Sequence, residues 1–267
     1  LLVSLFALGF KKIFILINPK NSKEYTFLPK QVEIANSLLS GIGKNDKKSI
    51  SILEETDPEL VENEIYQTSE YTRIKPSPFI PLGAPRGILR ASIQGLSKSN
   101  NNKNSMIPLP EGSPYGKVDV NLESCTICLS CVSACPAGAL QDNPDAPQLL
   151  FREDACLQCG ICEATCPEKA ISLVPQFNLS DEAMSAKVII EDKPFDCIEC
   201  GKTFGTTKSI ERIIDKLSSH SMFEADGRTE MLKMCEDCRV GAMFTQNDKM
   251  LEAKDRPKPR TTDDYLN

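Results

Sequence analysis

The chain has 267 residues, of which 40% are hydrophobic and 25% are charged, and its formal net charge is −6. This length is enough for two or three small domains, and the composition is that of an ordinary soluble globular protein. The acidic balance provides no basic surface for nucleic acid or an anionic membrane. Because the chain contains a single histidine, it offers no Ser-His or Cys-His catalytic arrangement, and we expect no catalytic residue in it.

The chain opens with an apolar stretch, Leu1–Leu16, which Lys11 and Lys12 interrupt. The run before these lysines is far shorter than the ~20 residues that a membrane-spanning helix requires, and no basic segment precedes it. We therefore predict no membrane span. The end of a helix, a stop at Gly9 and a buried strand over Ile13–Ile17 explain the stretch better. Since the first residue is leucine, we expect that upstream residues are missing.

A strand, a helix and a second strand are predicted next, in that order. Helical periodicity extends from about residue 29 to residue 39, and a second strand follows at Ile50–Leu53. One face of the helix carries Val32, Ala35, Leu38 and Leu39, and Gly41 and Gly43 end it. This order predicts a βαβ unit with parallel strands and a right-handed crossover. Residues 1–97 are thus expected to form a partial α/β domain.

This first region resembles the hydrogenase delta-subunit type of domain, through the segments FILINPK, QVEIANSLLSGIG and GILRASIQGL. The resemblance implies a small α/β unit within an electron-transfer complex. The region has no cysteine, so no cluster of that family is carried over, and it has no G-x-G-x-x-G motif for a nicotinamide or flavin. A polar run, KSNNNKNS, follows, and we predict a flexible linker over residues 98–116.

Two cysteine runs of the same spacing come next. Cys125, Cys128, Cys131 and Cys135 precede Pro136, and Cys156, Cys159, Cys162 and Cys166 precede Pro167, each 31 positions after its counterpart. Each run reads C-x-x-C-x-x-C-x-x-x-C-P, in which three thiolates come from one tight loop. A disulfide scaffold would need an oxidising compartment. Two zinc sites suit the soft ligands, but the third closely spaced cysteine favours an iron–sulfur cluster.

By these runs, residues 117–176 resemble the bacterial two-cluster ferredoxins. The resemblance implies a β-α-β-β-α-β-like unit, two 4Fe-4S clusters and low-potential one-electron chemistry. It also implies crossed ligation, in which the fourth cysteine of each run binds the cluster of the other run. Cluster I then takes Cys125, Cys128, Cys131 and Cys166, and cluster II takes Cys156, Cys159, Cys162 and Cys135. Strands are predicted at Val118–Val120, Leu149–Phe151 and Ala170–Val174.

A third cysteine group comprises Cys197, Cys200, Cys235 and Cys238. Two C-x-x-C pairs are the usual ligands of a structural zinc, so residues 187–245 are predicted to form a zinc-ribbon-like module. The segment CIECGKTF resembles the opening of a Cys/His zinc finger, but Ile213 and Leu217 stand where its histidines would be. With Ile210 and Ile214 they indicate an amphipathic helix instead. We favour zinc over a rubredoxin-like iron or a further Fe–S cluster, and we interpret His220 as a surface residue.

The whole chain is thus predicted to be an α+β multidomain protein that ends in an exposed tail at residues 246–267. Its arrangement resembles the C-terminal part of larger iron–sulfur proteins that accompany formate dehydrogenase or related molybdenum enzymes. The resemblance implies an electron-transfer protein or subunit with a redox partner protein. Two alternatives remain: a component of an enzyme whose flavin or molybdenum site lies elsewhere, and a cluster-dependent maturation or regulatory protein. Twelve cysteines, all in metal-binding motifs, predict a cytoplasmic location.

Overall fold

The computed structural model describes residues 2–44, 49–66, 75–77, 79–102, 104–220, 223 and 228–245. Its α-helices are α1 (Leu2–Ala7), α2 (Leu28–Gly41), α3 (Pro58–Tyr66), α4 (Pro85–Ser99), α5 (Ser130–Ala134), α6 (Ile161–Thr165), α7 (Thr207–Leu217) and α8 (Glu236–Thr245). Its strands are β1 (Ile13–Ile17), β2 (Ile50–Glu54), β3 (Met106–Pro108), β4 (Gly116–Val120), β5 (Leu140–Asn143), β6 (Ala146–Phe151), β7 (Ile171–Asn178), β8 (Lys187–Glu191), β9 (Pro194–Asp196) and β10 (Thr203–Thr206). Short 3-10 helices cover Pro19–Tyr25, Glu153–Ala155, Asp181–Met184 and Arg228–Lys233. The protein is therefore of mixed α and β structure.

The chain divides into two compact units. The first comprises residues up to 125, 129–142 and 149–189, and the second comprises residues 126–128, 143–148 and those from 190 onward. The division does not follow the predicted domain bounds, because it joins residues 1–97 and most of the predicted ferredoxin segment in one unit. Among the described residues, no helix is both long enough and apolar enough to cross a membrane.

The predicted βαβ elements are present in the first unit. Strands β1 and β2 pair in parallel, with Ile13 opposite Ile50, and α2 lies between them in the chain. The side chain of Asn36 in α2 donates to the Ile50 carbonyl at 3.1 Å and accepts from the Ile50 N–H at 3.0 Å. These two hydrogen bonds fix the start of β2 against the helix. The predicted bounds of both strands and of the helix are confirmed to within about two residues, the usual uncertainty of an element end.

One hydrophobic core connects the N-terminal helices with the sheet of the cysteine region. Helix α1 packs against α4, and Phe6, Ile93 and Leu96 are fully buried. The same core includes Ile107 of β3 and Phe177 of β7. Residues 98–116, predicted as a flexible linker, therefore contain the end of α4 and strand β3. The apolar side chain of Ile107, which is 1% exposed, holds the strand in the core.

The cysteine region is built on antiparallel strands. The central strand β7 pairs with β3 on one side and with β4 on the other. Strands β5, β6 and β8 form a second three-stranded sheet, in the order β5–β6–β8. The two short helices α5 and α6, each within one cysteine run, pack against each other. The predicted strands at 118–120 and 149–151 lie within β4 and β6, and β7 covers 171–174 of the third, so these predictions are confirmed.

In the second unit, a hairpin of β9 and β10 leads into α7. The Thr206 hydroxyl caps α7 by accepting from the Ser209 N–H at 3.2 Å, as a threonine at a helix start commonly does. The predicted amphipathic helix is confirmed, although Ile210 is buried and Ile213 is 40% exposed. His220 is exposed, as expected of a surface residue. The predicted tail, residues 246–267, lies outside the described residues.

Candidate iron–sulfur and metal centres

The two cysteine runs have the same backbone conformation. Left-handed φ angles recur 31 positions apart: Ile127 and Gln158 have 52° and 53°, Leu129 and Gly160 have 58° and 78°, and Gly138 and Lys169 have 58° and 50°. Side chains other than glycine seldom adopt this conformation. Its repetition at equivalent places means that the duplicated sequence is also a duplicated fold, with each loop bent in the same way around its three cysteines.

The fourth cysteine of each run accepts an equivalent hydrogen bond. The N–H of Ala139 donates to the Cys135 sulfur at 3.3 Å, and the N–H of Ala170 donates to the Cys166 sulfur at 3.3 Å. Burial raises the pKa of Cys135, but the backbone N–H groups of residues 137–140 outweigh it and lower that pKa below its usual range. A backbone N–H donor therefore points at each of these two sulfurs, and such donors stabilise negative charge on a sulfur that binds iron.

Cys135 of the first run shares a pocket with three cysteines of the second run. Cys135, Cys156, Cys159 and Cys162 line one pocket together with apolar side chains that include Val118 and Phe151. Burial raises the pKa of Cys162 to about 11, and the neighbouring charges of Cys156, Cys159 and Cys135 raise it further. Four thiolates gathered in an apolar pocket need a cation to compensate them. Their number and type fit a 4Fe-4S cluster, which cysteine thiolates hold.

For the first run, the structure locates the cysteines on their elements. Cys131 lies in α5, which packs against α6, and Cys166 follows α6 directly. Cys125 ends a turn in which its N–H donates to the Asn121 carbonyl at 3.0 Å. Cys128 is exposed. The contact between α5 and α6 therefore joins the helix that contains Cys131 to the helix that leads into Cys166. These two cysteines are predicted to bind the same cluster.

An arginine of α4 binds the start of the second run. The guanidinium of Arg86 donates to the carbonyl oxygens of Asp154 at 2.5 Å, Cys156 at 2.6 Å and Pro114 at 2.9 Å. It lies over the Tyr115 ring, 4.4 Å from the centroid. Sequence reasoning missed this residue. No local signal could have identified it, because 70 positions separate Arg86 from Cys156.

A second arginine, one helical turn later, supports the first. Arg90 binds the Asp154 carboxylate at 2.6 Å and the Asn178 carbonyl at 2.8 Å. Its guanidinium lies over the Phe177 ring, which makes an edge-to-face contact with the Tyr115 ring. The two arginines and the two aromatic rings thus form one cluster. In it, Arg90 is paired with a carboxylate and Arg86 contacts carbonyl oxygens.

The side-chain amide of Gln158 points at a cysteine sulfur. Its Nε2 donates to the Lys117 carbonyl at 2.9 Å and lies 3.4 Å from the Cys156 sulfur. Among the described residues, its Oε1 is a buried oxygen without a hydrogen-bond partner, which costs about 1–3 kcal/mol. Gly116 makes room for the amide, since a Cβ there would lie 2.6 Å from its Cδ. Sequence reasoning missed Gln158, and the only hint is that Ile127 occupies the equivalent place.

The four C-terminal cysteines form a compact group within the second unit. The sulfurs of Cys197, Cys200, Cys235 and Cys238 all lie within 4.8 Å of one another, and those of Cys200 and Cys235 are 3.7 Å apart. Four thiolates bound at ~2.3 Å to one tetrahedral ion stand about 3.8 Å apart. The ligands of a 4Fe-4S cluster each bind a different iron and stand farther apart. The group therefore fits a single metal ion.

The first pair of this group lies in the turn of the β9–β10 hairpin, and the second lies at the start of α8. The Cys197 N–H donates to the Lys202 carbonyl at 2.9 Å, and Gly201 takes a left-handed φ of 71° to close the turn. Cys235 directly precedes α8, and Cys238 is in its first turn. A zinc ribbon would place both pairs in hairpins, so the module differs from that expectation in its second half.

Backbone N–H groups prepare one thiolate in this group. Burial raises the pKa of Cys197, but the N–H groups of Cys200, Cys235 and Glu199 lower it to about 6. The Cys235 N–H lies 3.3 Å from this sulfur. The pKa of Cys238 is raised, because Cys200 and Cys235 hydrogen-bond to its thiol form. These N–H groups thus favour the thiolate form of Cys197, the form of cysteine that binds a metal.

Together these features define an iron–sulfur protein that carries an additional four-cysteine site for one metal ion. A family model described as a 4Fe-4S dicluster domain matches residues 124–171. The chain is also 32% identical over 59 residues to an uncharacterized ferredoxin of Methanocaldococcus jannaschii. The matched segment covers 22% of this chain and 94% of that ferredoxin. By this match the chain belongs to the 4Fe-4S ferredoxins.

Two further relatives match a short stretch of the chain. The chain is 43% identical over 42 residues to a 7Fe ferredoxin of Hydrogenibacillus schlegelii, covering 16% of this chain and 51% of that one. It is 42% identical over 41 residues to a ferredoxin of Alicyclobacillus acidocaldarius, covering 15% and 50%. The chain thus spans about half the length of these two relatives. Most of this chain lies outside both matches.

Proposed function

We propose that this chain relays single electrons through two 4Fe-4S clusters, to or from a partner oxidoreductase. The observation that carries the proposal is the pocket in which Cys135 of the first run meets Cys156, Cys159 and Cys162 of the second. A zinc site or a disulfide would not require a cysteine from the other run. Crossed ligation is the arrangement of two-cluster ferredoxins, so the pocket supports Cys125, Cys128, Cys131 and Cys166 as the other ligand set.

The residues around the pocket suit one-electron chemistry. When bound, each cluster would accept or release one electron without a change in its ligands. The N–H groups that point at Cys135 and Cys166 stabilise the negative charge of the sulfurs. Val118, Phe151 and Leu173 line the pocket of Cys135, Cys156, Cys159 and Cys162 with hydrocarbon. The chain itself is proposed to have no catalytic site.

The partner that we propose is an oxidoreductase of the formate dehydrogenase or related molybdenum type. Its support is the resemblance of the whole cysteine arrangement in the sequence, and the net charge of −6 suits docking to a basic surface. The measurement is the rate at which purified formate dehydrogenase and formate reduce this protein without oxygen. Reduction no faster than by formate alone would refute this partner and leave the electron-transfer proposal standing.

For the C-terminal group we propose one zinc ion held by Cys197, Cys200, Cys235 and Cys238. The sulfur separations support a single tetrahedral ion, and four thiolates are a common ligand set of structural zinc. Elemental analysis of protein purified without oxygen should give about eight iron and about eight sulfide with about one zinc per chain. About nine iron and no zinc would replace zinc by a rubredoxin-like iron.

The crossed ligation is tested with four serine variants of the holoprotein. Cys128→Ser and Cys159→Ser mark the paramagnetic signals of clusters I and II after dithionite reduction. Cys135→Ser should alter the signal that Cys159→Ser alters, since both sulfurs line one pocket, and Cys166→Ser should alter the signal that Cys128→Ser alters. If Cys135→Ser instead reproduces the spectrum of Cys128→Ser, each run binds its own fourth cysteine and the proposed ligand sets are wrong.

A further inference from the structure

We propose that Arg86 and Gln158 raise the reduction potential of the cluster bound by Cys156, so that the two clusters of the chain are unequal. The inference rests on the proposed function, because it concerns the second of the two proposed clusters. Both side chains converge on Cys156, one at its sulfur and one at its carbonyl oxygen. Hydrogen bonds to the ligating sulfurs and the nearby charge are the means by which proteins set such potentials.

The first contribution is the Gln158 amide. Its Nε2 lies 3.4 Å from the Cys156 sulfur and is held there by a second hydrogen bond to the Lys117 carbonyl at 2.9 Å. A donor that faces a thiolate stabilises negative charge on it. Reduction adds one electron to the cluster, forms and breaks no bond to cysteine and increases its negative charge by one. The fixed amide therefore favours the reduced state over the oxidised state.

The second contribution is the charge of Arg86. Two of the groups around it, Arg90 and Asp154, form an ion pair, so the positive charge of Arg86 remains in excess. Among the described residues, no carboxylate forms a salt bridge with Arg86, which instead binds three carbonyl oxygens. An arginine remains charged at any pH at which the protein folds. In a half-buried position this charge is poorly screened, and it attracts an electron to the adjacent cluster.

The first run encodes no equivalent of the amide. Ile127 occupies the place of Gln158, with nearly the same φ angle, and an isoleucine side chain has no hydrogen-bond donor. Ile127 is 4% exposed, so a hydrocarbon side chain is buried at this place in the first run. The two loops therefore share a backbone and differ in the chemistry of one side chain. We expect the added electron to reside mainly on the cluster of the second run.

Packing alone does not explain Gln158. Its amide occupies the space that a Cβ at position 116 would take, since that Cβ would lie 2.6 Å from the Gln158 Cδ. The amide further leaves its own Oε1 buried without a partner among the described residues. An apolar side chain of the same length would fill the space without burying an unpaired oxygen. The glutamine adds an N–H donor that faces the Cys156 sulfur and binds the Lys117 carbonyl of β4.

The test is an anaerobic redox titration of the full-length holoprotein, followed by the paramagnetic signals of the two clusters. Gln158→Met removes the donor and keeps the length of the side chain, and Arg86→Gln removes the charge. Each variant should lower the reduction potential of the cluster whose signal Cys159→Ser identifies. For Arg86→Gln we expect the reduction equilibrium to change by about tenfold, which corresponds to about 59 mV for one electron. The other signal should shift much less, because these contacts reach only Cys156.

Two matched variants separate tuning from a loss of stability. Gln94→Met removes a comparable amide hydrogen bond, to the Leu179 carbonyl at 2.9 Å, and should leave both potentials unchanged. Arg86→Lys keeps the charge and should restore most of the potential. Unchanged potentials in Gln158→Met and Arg86→Gln, with full iron content, would overturn the inference and leave the proposed function intact. Loss of the second cluster in all three variants at these positions would also overturn it, since the contacts would then be structural.

Discussion

The positions with left-handed φ angles show how single residues adapt the duplicated loops. Gly138 and Lys169 are equivalent residues, with φ angles of 58° and 50°, but only one of them is a glycine. For an L-residue, the left-handed conformation is about 1–2 kcal/mol less stable than the right-handed helical conformation. Lys169 is exposed, so its side chain contributes little burial in return. At this one position, the second loop therefore carries backbone strain that the first avoids.

Exchanging these two residue types should change stability in opposite directions. We expect Lys169→Gly to stabilise the holoprotein by about 1 kcal/mol, because relief of the strain exceeds the entropy cost of glycine. Gly138→Ala should destabilise it by a similar amount, and steric conflict is excluded because a Cβ there would meet nothing within 4 Å. Thermal unfolding followed by circular dichroism measures both. If both variants change the free energy of unfolding in the same direction, backbone strain does not determine which residue type suits these two positions.

At the scale of elements, the segment after α4 shows how polar residues can belong to a packed structure. The Asn100 side chain donates to the Leu96 carbonyl at 2.8 Å, and the Asn102 side chain donates to the Gly41 carbonyl at 3.0 Å. These asparagines bind backbone carbonyl groups in the last turns of α4 and α2. The run KSNNNKNS thus resembles a linker in composition, whereas its asparagines anchor the chain just before β3.

The close approach of α2 and β3 depends on a glycine. A Cβ on Gly41, the last residue of α2, would lie 2.4 Å from Ile107 Cγ2, and Ile107 is too buried to move aside. We expect Gly41→Ala to destabilise the protein by about 1–3 kcal/mol through overpacking. The measurement is the shift of the urea unfolding midpoint.

A double variant tests whether the side chain of Ile107 is the reason for a glycine at position 41. In an Ile107→Ala background the obstructing methyl group is gone, and alanine is preferred to glycine in a helix by roughly 0.5–1 kcal/mol. Gly41→Ala should then be neutral or stabilising. If it costs the same in both backgrounds, Ile107 is not the reason for the glycine, and the cost arises from the backbone at the end of α2.

At the scale of the whole molecule, local patterns were predictable from the sequence and distant contacts were not. The cysteine spacing predicted the duplicated loops, and hydrophobic periodicity predicted β1, α2, β2 and α7, because each depends on neighbours within a few residues. The core shared by Phe6, Ile93 and Phe177 depends on packing across more than 150 positions. The same holds for the binding of Arg86 to Cys156, since carbonyl oxygens are present at every residue and leave no mark in the sequence.

The apolar cluster around the metal-binding cysteines is much smaller than the core of the first unit. The core of the first includes sixteen buried hydrophobic residues. In the second, the buried cluster around the metal-binding cysteines consists of Cys197, Met234 and Cys235, with Phe204 and Ala242 packed against it. So small a cluster stabilises little on its own. We infer that the ion bound by the four thiolates supplies much of the stability of this part, as structural zinc does in small domains.

Removing this ion should therefore loosen the second unit selectively. We expect a strong zinc chelator, added without oxygen, to increase hydrogen exchange at the amides of β9, β10 and α8, because their hydrogen bonds would lose the support of the metal. The amides of β4 and β7 should keep their protection, since the core of the first unit holds no part of this site. Cys238→Ser, which removes one ligand, should reproduce the effect without chelator, and added zinc should reverse the effect of the chelator alone. If β9 and α8 stay protected after elemental analysis shows that the zinc is gone, the apolar cluster suffices, and the ion must have a role other than stabilising the fold.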